Sequence, residues 1–127
     1  MMLEWNDKYE IGDAEIDAQH QELFSRINQF VTTTEKAGET TCSASLCQFT
    51  REHFAHEENL MQRINYSAMV DHVAQHNELI ARLDQISSGV AKDTVDKAFW
   101  KSFISDWLVS HIAVYDSRLA AALQQQP

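Results

Sequence analysis

Five histidines and a glutamate stand where apolar residues are expected. His20, His53, His72, His76 and His111 all fall on the apolar stripes of helical segments, and so does Glu57. His53 and Glu57 are four residues apart, as are His72 and His76, so each pair shares one helix face. A lone histidine on such a stripe is usually an ordinary core residue. Five of them, spread over four segments, strain that reading. A carboxylate buried without a partner costs several kcal/mol. One bound cation would serve all these groups at once, because a metal ion is the largest local charge in its site. His111 is followed at four residues by Tyr115 and at five by Asp116. Five residues turn about 140° around an ideal helix, so Tyr115 aligns better by geometry alone. Asp116 aligns only if its side chain reaches sideways or the helix is locally widened, as π-bulges at functional sites are. Spacing does not choose between the two.

Four segments with helical periodicity must position these groups. The first, about 16–37, carries Ile16, His20, Leu23, Phe24, Ile27 and Phe30 and is expected to stop at Ala37-Gly38. The second, about 41–64, starts after Thr40 or Thr41 and runs to a turn at Asn65-Tyr66-Ser67, with Ser67 the expected N-cap of the third. The third, about 68–87, ends at Ser87-Ser88-Gly89. The fourth, about 94–123, follows Asp93 or Thr94. Each is about 30 Å long at 1.5 Å per residue, and the joining loops are short. The expected fold is therefore all-α: an up-down-up-down antiparallel four-helix bundle within one domain, 1–127. A non-helical arm, about 1–15, precedes it, with Trp5, Tyr9 and Ile11 available to pack across the bundle.

Composition narrows the function classes. Nineteen Asp and Glu against ten Lys and Arg give a formal charge of −9, and no basic stripe exists to neutralise phosphates. Nucleic acid is excluded as a partner. No apolar run approaches the roughly 20 residues that a membrane span needs, so no membrane insertion is expected. The N-terminus carries Glu4, Asp7 and Glu10 and does not look like a signal peptide. Cys42 and Cys47 sit in one short segment and are read as free thiols, so a cytoplasmic location is expected.

The residues resemble the hemerythrin family over nearly the whole chain. The match comprises Ile16-Asp17-Ala18-Gln19-His20 with Leu23 and Asn28, and His53-Phe54-Ala55-His56-Glu57-Glu58 with Met61. It continues through His72 and His76 to Trp107-Leu108-Val109-Ser110-His111-Ile112 with Asp116. Any one piece would be weak; jointly they are highly specific. Trp5 and Gly12 in the arm suggest a bacterial single-domain form. The resemblance implies two iron ions, Fe2+ or Fe3+. His72, His76 and His111 would bind one, His20 and His53 the other, and Glu57 and Asp116 would bridge them together with an oxo or hydroxo group. It thereby selects Asp116 where spacing did not. Two octahedral irons offer about twelve positions, and this ligand set leaves about one open, on the iron with two histidines. Dioxygen would bind there reversibly, which makes the chain a carrier or store and not an enzyme. Phe54, Trp107, Leu108 and Ile112 are the expected lining of a dry oxygen pocket, although ordinary core packing would use the same residues.

Other readings fit less well. Ferritin-like di-iron enzymes use Glu-x-x-His motifs, and this chain contains none. His56-Glu57 begins like a zinc-peptidase H-E-x-x-H, but Leu60 stands where the second histidine should be. Oxygen or redox sensing would require a partner protein, because no output domain follows within this sequence. Iron storage or detoxification is the remaining alternative. A monomer is expected, with an oxygen-consuming recipient protein as its conceivable partner. His56 is expected at the periphery, Glu58 as a solvated charge or the partner of a nearby basic group, Asp17 as a helix cap, and Trp100 as a surface or interface aromatic.

Overall fold

The computed structural model describes residues 4–125; residues 1–3 of the expected arm and the last two residues of the expected domain lie outside it. Its helices are α1 (Ala14–Thr32), α2 (Lys36–Arg63), α3 (Met69–Ala91), α4 (Lys97–His111) and α5 (Ser117–Gln124). A π-helical turn, Ile112–Asp116, joins α4 to α5 without a break, so the last three pieces form one rod. Together with α1, α2 and α3 this rod makes the four-helix bundle.

The core is two apolar clusters with a polar layer between them. The larger contains Leu23, Phe24, Ile27 and Phe30 of α1, Leu46 and Phe54 of α2, Leu79 to Val90 of α3, and Ile104 and Leu108 of α4. The smaller contains Ile16, Met61 and Leu119, with Met69 and Leu123 packed against it. Along α1 the chain passes from the small cluster to the large one, along α2 back again, along α3 forward, and along the fourth rod back. Successive rods are therefore antiparallel. Burying each large apolar side chain contributes about 1.5–3 kcal/mol, so both clusters hold the layer between them in place.

The helix boundaries differ from the expected ones for identifiable reasons. The first helix ends at Thr32, not at Gly38, and Thr33 is extended. The β-branched run Val31-Thr32-Thr33-Thr34 favours that extended exit. Gly38 lies instead inside α2, which starts at Lys36, five residues before the expected start. A Cβ on Gly38 would meet Thr33 Oγ1 at 2.7 Å, so the glycine allows a close approach and does not stop a helix. The N-cap of α3 is Ala68, with no side-chain hydrogen bond, and Ser67 sits in the preceding turn. The third helix runs on through Ser87-Ser88-Gly89 to Ala91. Asn65 (φ 52°) and Asp93 (φ 56°) turn the chain after α2 and α3. Each is followed by an N–H that reaches back, Tyr66 to Met61 O and Thr94 to Gly89 O, both at 2.9 Å. The fourth rod begins at Lys97, capped by Asp96, whose carboxylate accepts from Phe99 N–H at 3.1 Å. Phe99 is 58% exposed, whereas Trp100, expected at the surface or an interface, is half-buried and packs against the large cluster.

The arm contains one 3-10 turn, Asp7–Tyr9, and the helix begins at Ala14. Trp5, Tyr9 and Phe24 form an edge-to-face trio with centroids 5.3–5.7 Å apart. Asp13, not Asp17, caps α1, accepting from Ile16 N–H at 3.0 Å. Asp17 anchors the arm instead, accepting from Ile11 N–H (2.9 Å) and Gly12 N–H (3.3 Å). Gly12 has φ +96°, a conformation that glycine tolerates and other residues rarely adopt. Replacing Asp17 by Ala would strand two backbone donors. Urea unfolding should show a loss of about 1–3 kcal/mol, while the exposed change Glu78→Ala should stay within about 0.5 kcal/mol. Equal effects would remove Asp17 from this anchoring role.

Candidate metal centre

The polar layer is where the seven expected ligands meet. His20 comes from α1, His53 and Glu57 from α2, His72 and His76 from α3, His111 from α4, and Asp116 from the π turn. None is more than 2% exposed. They occupy the stripe positions between the two apolar clusters, so the packing that builds the core also turns them inward.

Asp116 joins the group because the helix widens. Ser117 N–H bonds Ile112 O, an i to i+5 link, and Ser117 Oγ donates to the same oxygen at 3.0 Å. With one extra residue in the turn, Asp116 comes round to the face of His111. Tyr115, the better candidate on ideal spacing, is half-buried and stacks its ring on His111 at 5.3 Å and 13°.

Each carboxylate divides its two oxygens between two sets of histidines. Glu57 Oε2 lies 2.8 Å from His53 Nε2 and 3.6 Å from His20 Nε2. Glu57 Oε1 lies 3.1 Å from His76 Nε2 and 3.4 Å from His72 Nε2. Asp116 Oδ2 lies 2.9 Å from His20 Nε2, while Oδ1 faces His72 Nε2 (2.9 Å) and His111 Nε2 (3.1 Å). Two pockets of ligand atoms result, each with its atoms within 4.8 Å of one another. One holds Glu57, His72, His76, His111 and Asp116; the other holds His20, His53, Glu57 and Asp116.

Most of these contacts are short without being hydrogen bonds. His20 Nε2, His53 Nε2, His76 Nε2, His111 Nε2 and both Glu57 oxygens are buried with no hydrogen-bond partner. Lone pairs that converge at ion-pair distance without donor-to-acceptor alignment fit a shared cation better than a proton network. The donor set contains no thiolate; five imidazoles and two carboxylates fit a borderline divalent metal such as iron.

The electrostatics agree. Burial pushes Glu57 up, but the facing His53, His20 and His72 more than reverse this and hold it well below the usual carboxylate range. Asp116 is likewise lowered, by His111, His20 and His72 acting against burial and against Glu57. Burial lowers His20 and His72, yet Asp116 and Glu57 overcome it and push both up to about 9. Burial leaves His111 lowered. Both acids are thus anionic, and the metal-free chain answers them with imidazolium protons.

Aromatic rings brace the ligands. Phe54 stacks on His76 at 3.7 Å and 4°, and Trp107 stacks on His111 at 4.6 Å and 13°. Phe54, Leu108 and Ile112 are buried in the large cluster beside the layer, and Trp107 is half-buried against it. Two further residues touch the ligands from behind. Gln19 Oε1 lies 2.5 Å from His53 Nδ1, and Glu58 Oε2 lies 2.9 Å from His76 Nδ1. Glu58 therefore partners a basic group, as one of its two expected readings had it. Gln19 stood in the family match without a role; its signal was a polar residue three positions after Ile16 and four before Leu23, at a stripe spacing. His56 is peripheral, 3.6 Å from the exposed Glu15.

Comparison with known proteins places this arrangement. Residues 12–123 match the hemerythrin HHE cation binding domain. A myohemerythrin from Riftia pachyptila is 30% identical over 112 residues, covering 88% of this chain and 86% of that protein. A bacteriohemerythrin from Stenotrophomonas maltophilia is 27% identical, covering 94% of this chain and 80% of its own length. The crystal structure of wild-type hemerythrin superposes with a TM-score of 0.87 at 22% identity, over 97% of this chain and 98% of that one, a likeness of fold. With the domain match spanning all seven of these inward-facing histidines and acids, the chain belongs to the hemerythrin family.

Proposed function

We propose that this chain binds dioxygen reversibly at a pair of iron ions. His72, His76 and His111 would hold one, His20 and His53 the other, and Glu57 and Asp116 would bridge them, with an oxo or hydroxo group completing the bridge. The observation that carries this reading is the division of each carboxylate's oxygens between the two histidine sets. Relatives named myohemerythrin and bacteriohemerythrin support it. The chemistry such a pair supplies when bound is a reversible two-electron exchange with dioxygen.

The chain's own residues do the rest. Five imidazoles from four rods fix the spacing of the pair, because each rod is locked by the clusters above and below the layer. Gln19 and Glu58 accept from Nδ1–H of His53 and His76, which leaves both Nε2 lone pairs aimed inward. Phe54, Leu108 and Ile112 keep water from the layer, and Trp107 shields the outer face of His111. Excluding water and stray acids lets a bound gas leave unchanged, so the proposed activity is binding and not turnover. No helix among the described residues is long and apolar enough to cross a membrane.

Three outcomes are expected. Purified protein should contain two irons per chain, and its visible absorbance should change on aeration and return under vacuum. Glu57→Ala and His76→Ala should each lower the iron content, and full iron in both would discard the ligand assignment. Replacing the buried Leu108 by Ser should admit water and hasten autoxidation, at a stability cost of about 2–5 kcal/mol; an unchanged autoxidation rate would take Leu108 out of the pocket. Metal uptake should also release protons. In the metal-free chain His20 and His72 are protonated below about 9 and must be neutral to bind. Adding Fe2+ anaerobically at pH 7 should therefore expel protons from both, with apparent affinity rising between pH 6 and 9. A pH-independent affinity would contradict this.

A further inference from the structure

His53 and His76 are near twins. Both sit on helix stripes, and both present Nε2 to Glu57, at 2.8 and 3.1 Å. Both have an outer partner at Nδ1, unlike His20, His72 and His111, whose Nδ1 atoms are buried without one. The partners differ in charge. Behind His53 stands the neutral amide oxygen of Gln19, from α1; behind His76 stands the carboxylate of Glu58, from α2. A neutral imidazole has one N–H, so donation from Nδ1 leaves the Nε2 lone pair for a metal. A carboxylate acceptor draws on that proton harder than an amide does, because charge-assisted hydrogen bonds are roughly twice as strong as neutral ones. Electron density on the inward nitrogen rises accordingly, and outer partners of this kind change metal affinity by about 10–100-fold.

We propose that Glu58 and Gln19 are positioning residues that make the two metal positions unequal, so that the His72–His76–His111 position fills first and empties last while the His20–His53 position is the exchangeable one. This rests on the two-metal reading given above. Three histidines against two already bias the pair in this direction, and the outer partners add to it through His76 and His53 alone. The effect is local because Glu58 touches His76 and Gln19 touches His53.

The test uses the full metal-free protein, titrated anaerobically with Co2+ and read by its visible bands, with release to a chelator as a second measure. Wild type should take up two equivalents in two steps. Glu58→Gln keeps a hydrogen-bond acceptor and removes only the charge; it should weaken the first step by about 10–100-fold and leave the second within about threefold. Gln19→Glu should do the reverse, tightening the second step and slowing its release, with the first step unmoved. The double exchange keeps the net charge and should narrow or invert the gap. Circular dichroism of each variant confirms that the helices are intact. If all variants keep both steps where wild type has them, or if each variant shifts both steps together, the inference is overturned while the two-metal reading survives. If wild type itself binds fewer than two equivalents, both fall.

Discussion

The fold is organised around negative charge buried in an apolar core. Glu57 and Asp116 have no exposed surface, and each remains ionised against the opposition of burial. Such a pair is tolerable only if positive charge is shared between them. The imidazoles supply part of it as protons when no metal is bound, and bound metal would supply it more completely. Nearly every feature near the middle of the bundle follows from this need, including the inward histidines, the ring stacks that fix their planes and the two apolar clusters that seal the layer.

Those clusters explain why the ligand geometry can be precise in a bundle of ordinary helices. The layer is clamped from both ends, by Leu23, Phe54, Leu79 and Leu108 on one side and by Ile16, Met61 and Leu119 on the other. A shift of any rod along its axis would misplace its ligand and open a void in both clusters at once. The arm contributes from outside, where Asp17 ties Ile11 and Gly12 to the start of α1, one turn from His20. Lys97 plays a similar part at the far end, reaching the Thr33 carbonyl oxygen and, at 2.9 Å, the Glu39 carboxylate.

Much of this was legible in the sequence because a buried histidine is conspicuous against a 3.6-residue apolar period. His20, His53, His72, His76 and His111 could be placed on inward faces from spacing alone, and the number of rods followed from the same pattern. The loops were less legible. Gly38 and Gly89 looked like helix ends and lie inside helices, because Thr33 and Asp93 take the non-helical conformations instead. Ser67 looked like a cap and is not one. Spacing left Asp116 and Tyr115 both open, since ideal periodicity cannot show which turn is widened, and it was the family resemblance that selected Asp116. Glu58 was left with two readings, and Gln19 was given no role, because the partners behind an inward histidine carry no periodic signature of their own.

The π turn has a consequence beyond the ligand it delivers. One added residue advances the phase of everything that follows by about 100°. Leu119 and Ala120 are buried with the advanced phase, and Leu119 meets Ile16 and Met61 there. Were this turn to close to ordinary α geometry with all its residues kept, an acid would rotate away from the histidines and a leucine out of the core in the same stroke. The fourth rod has a fixed reading frame in three dimensions. The bends 33–35, 64–68 and 92–96 carry none of the inward-facing histidines or acids, so a change of length there leaves that frame alone.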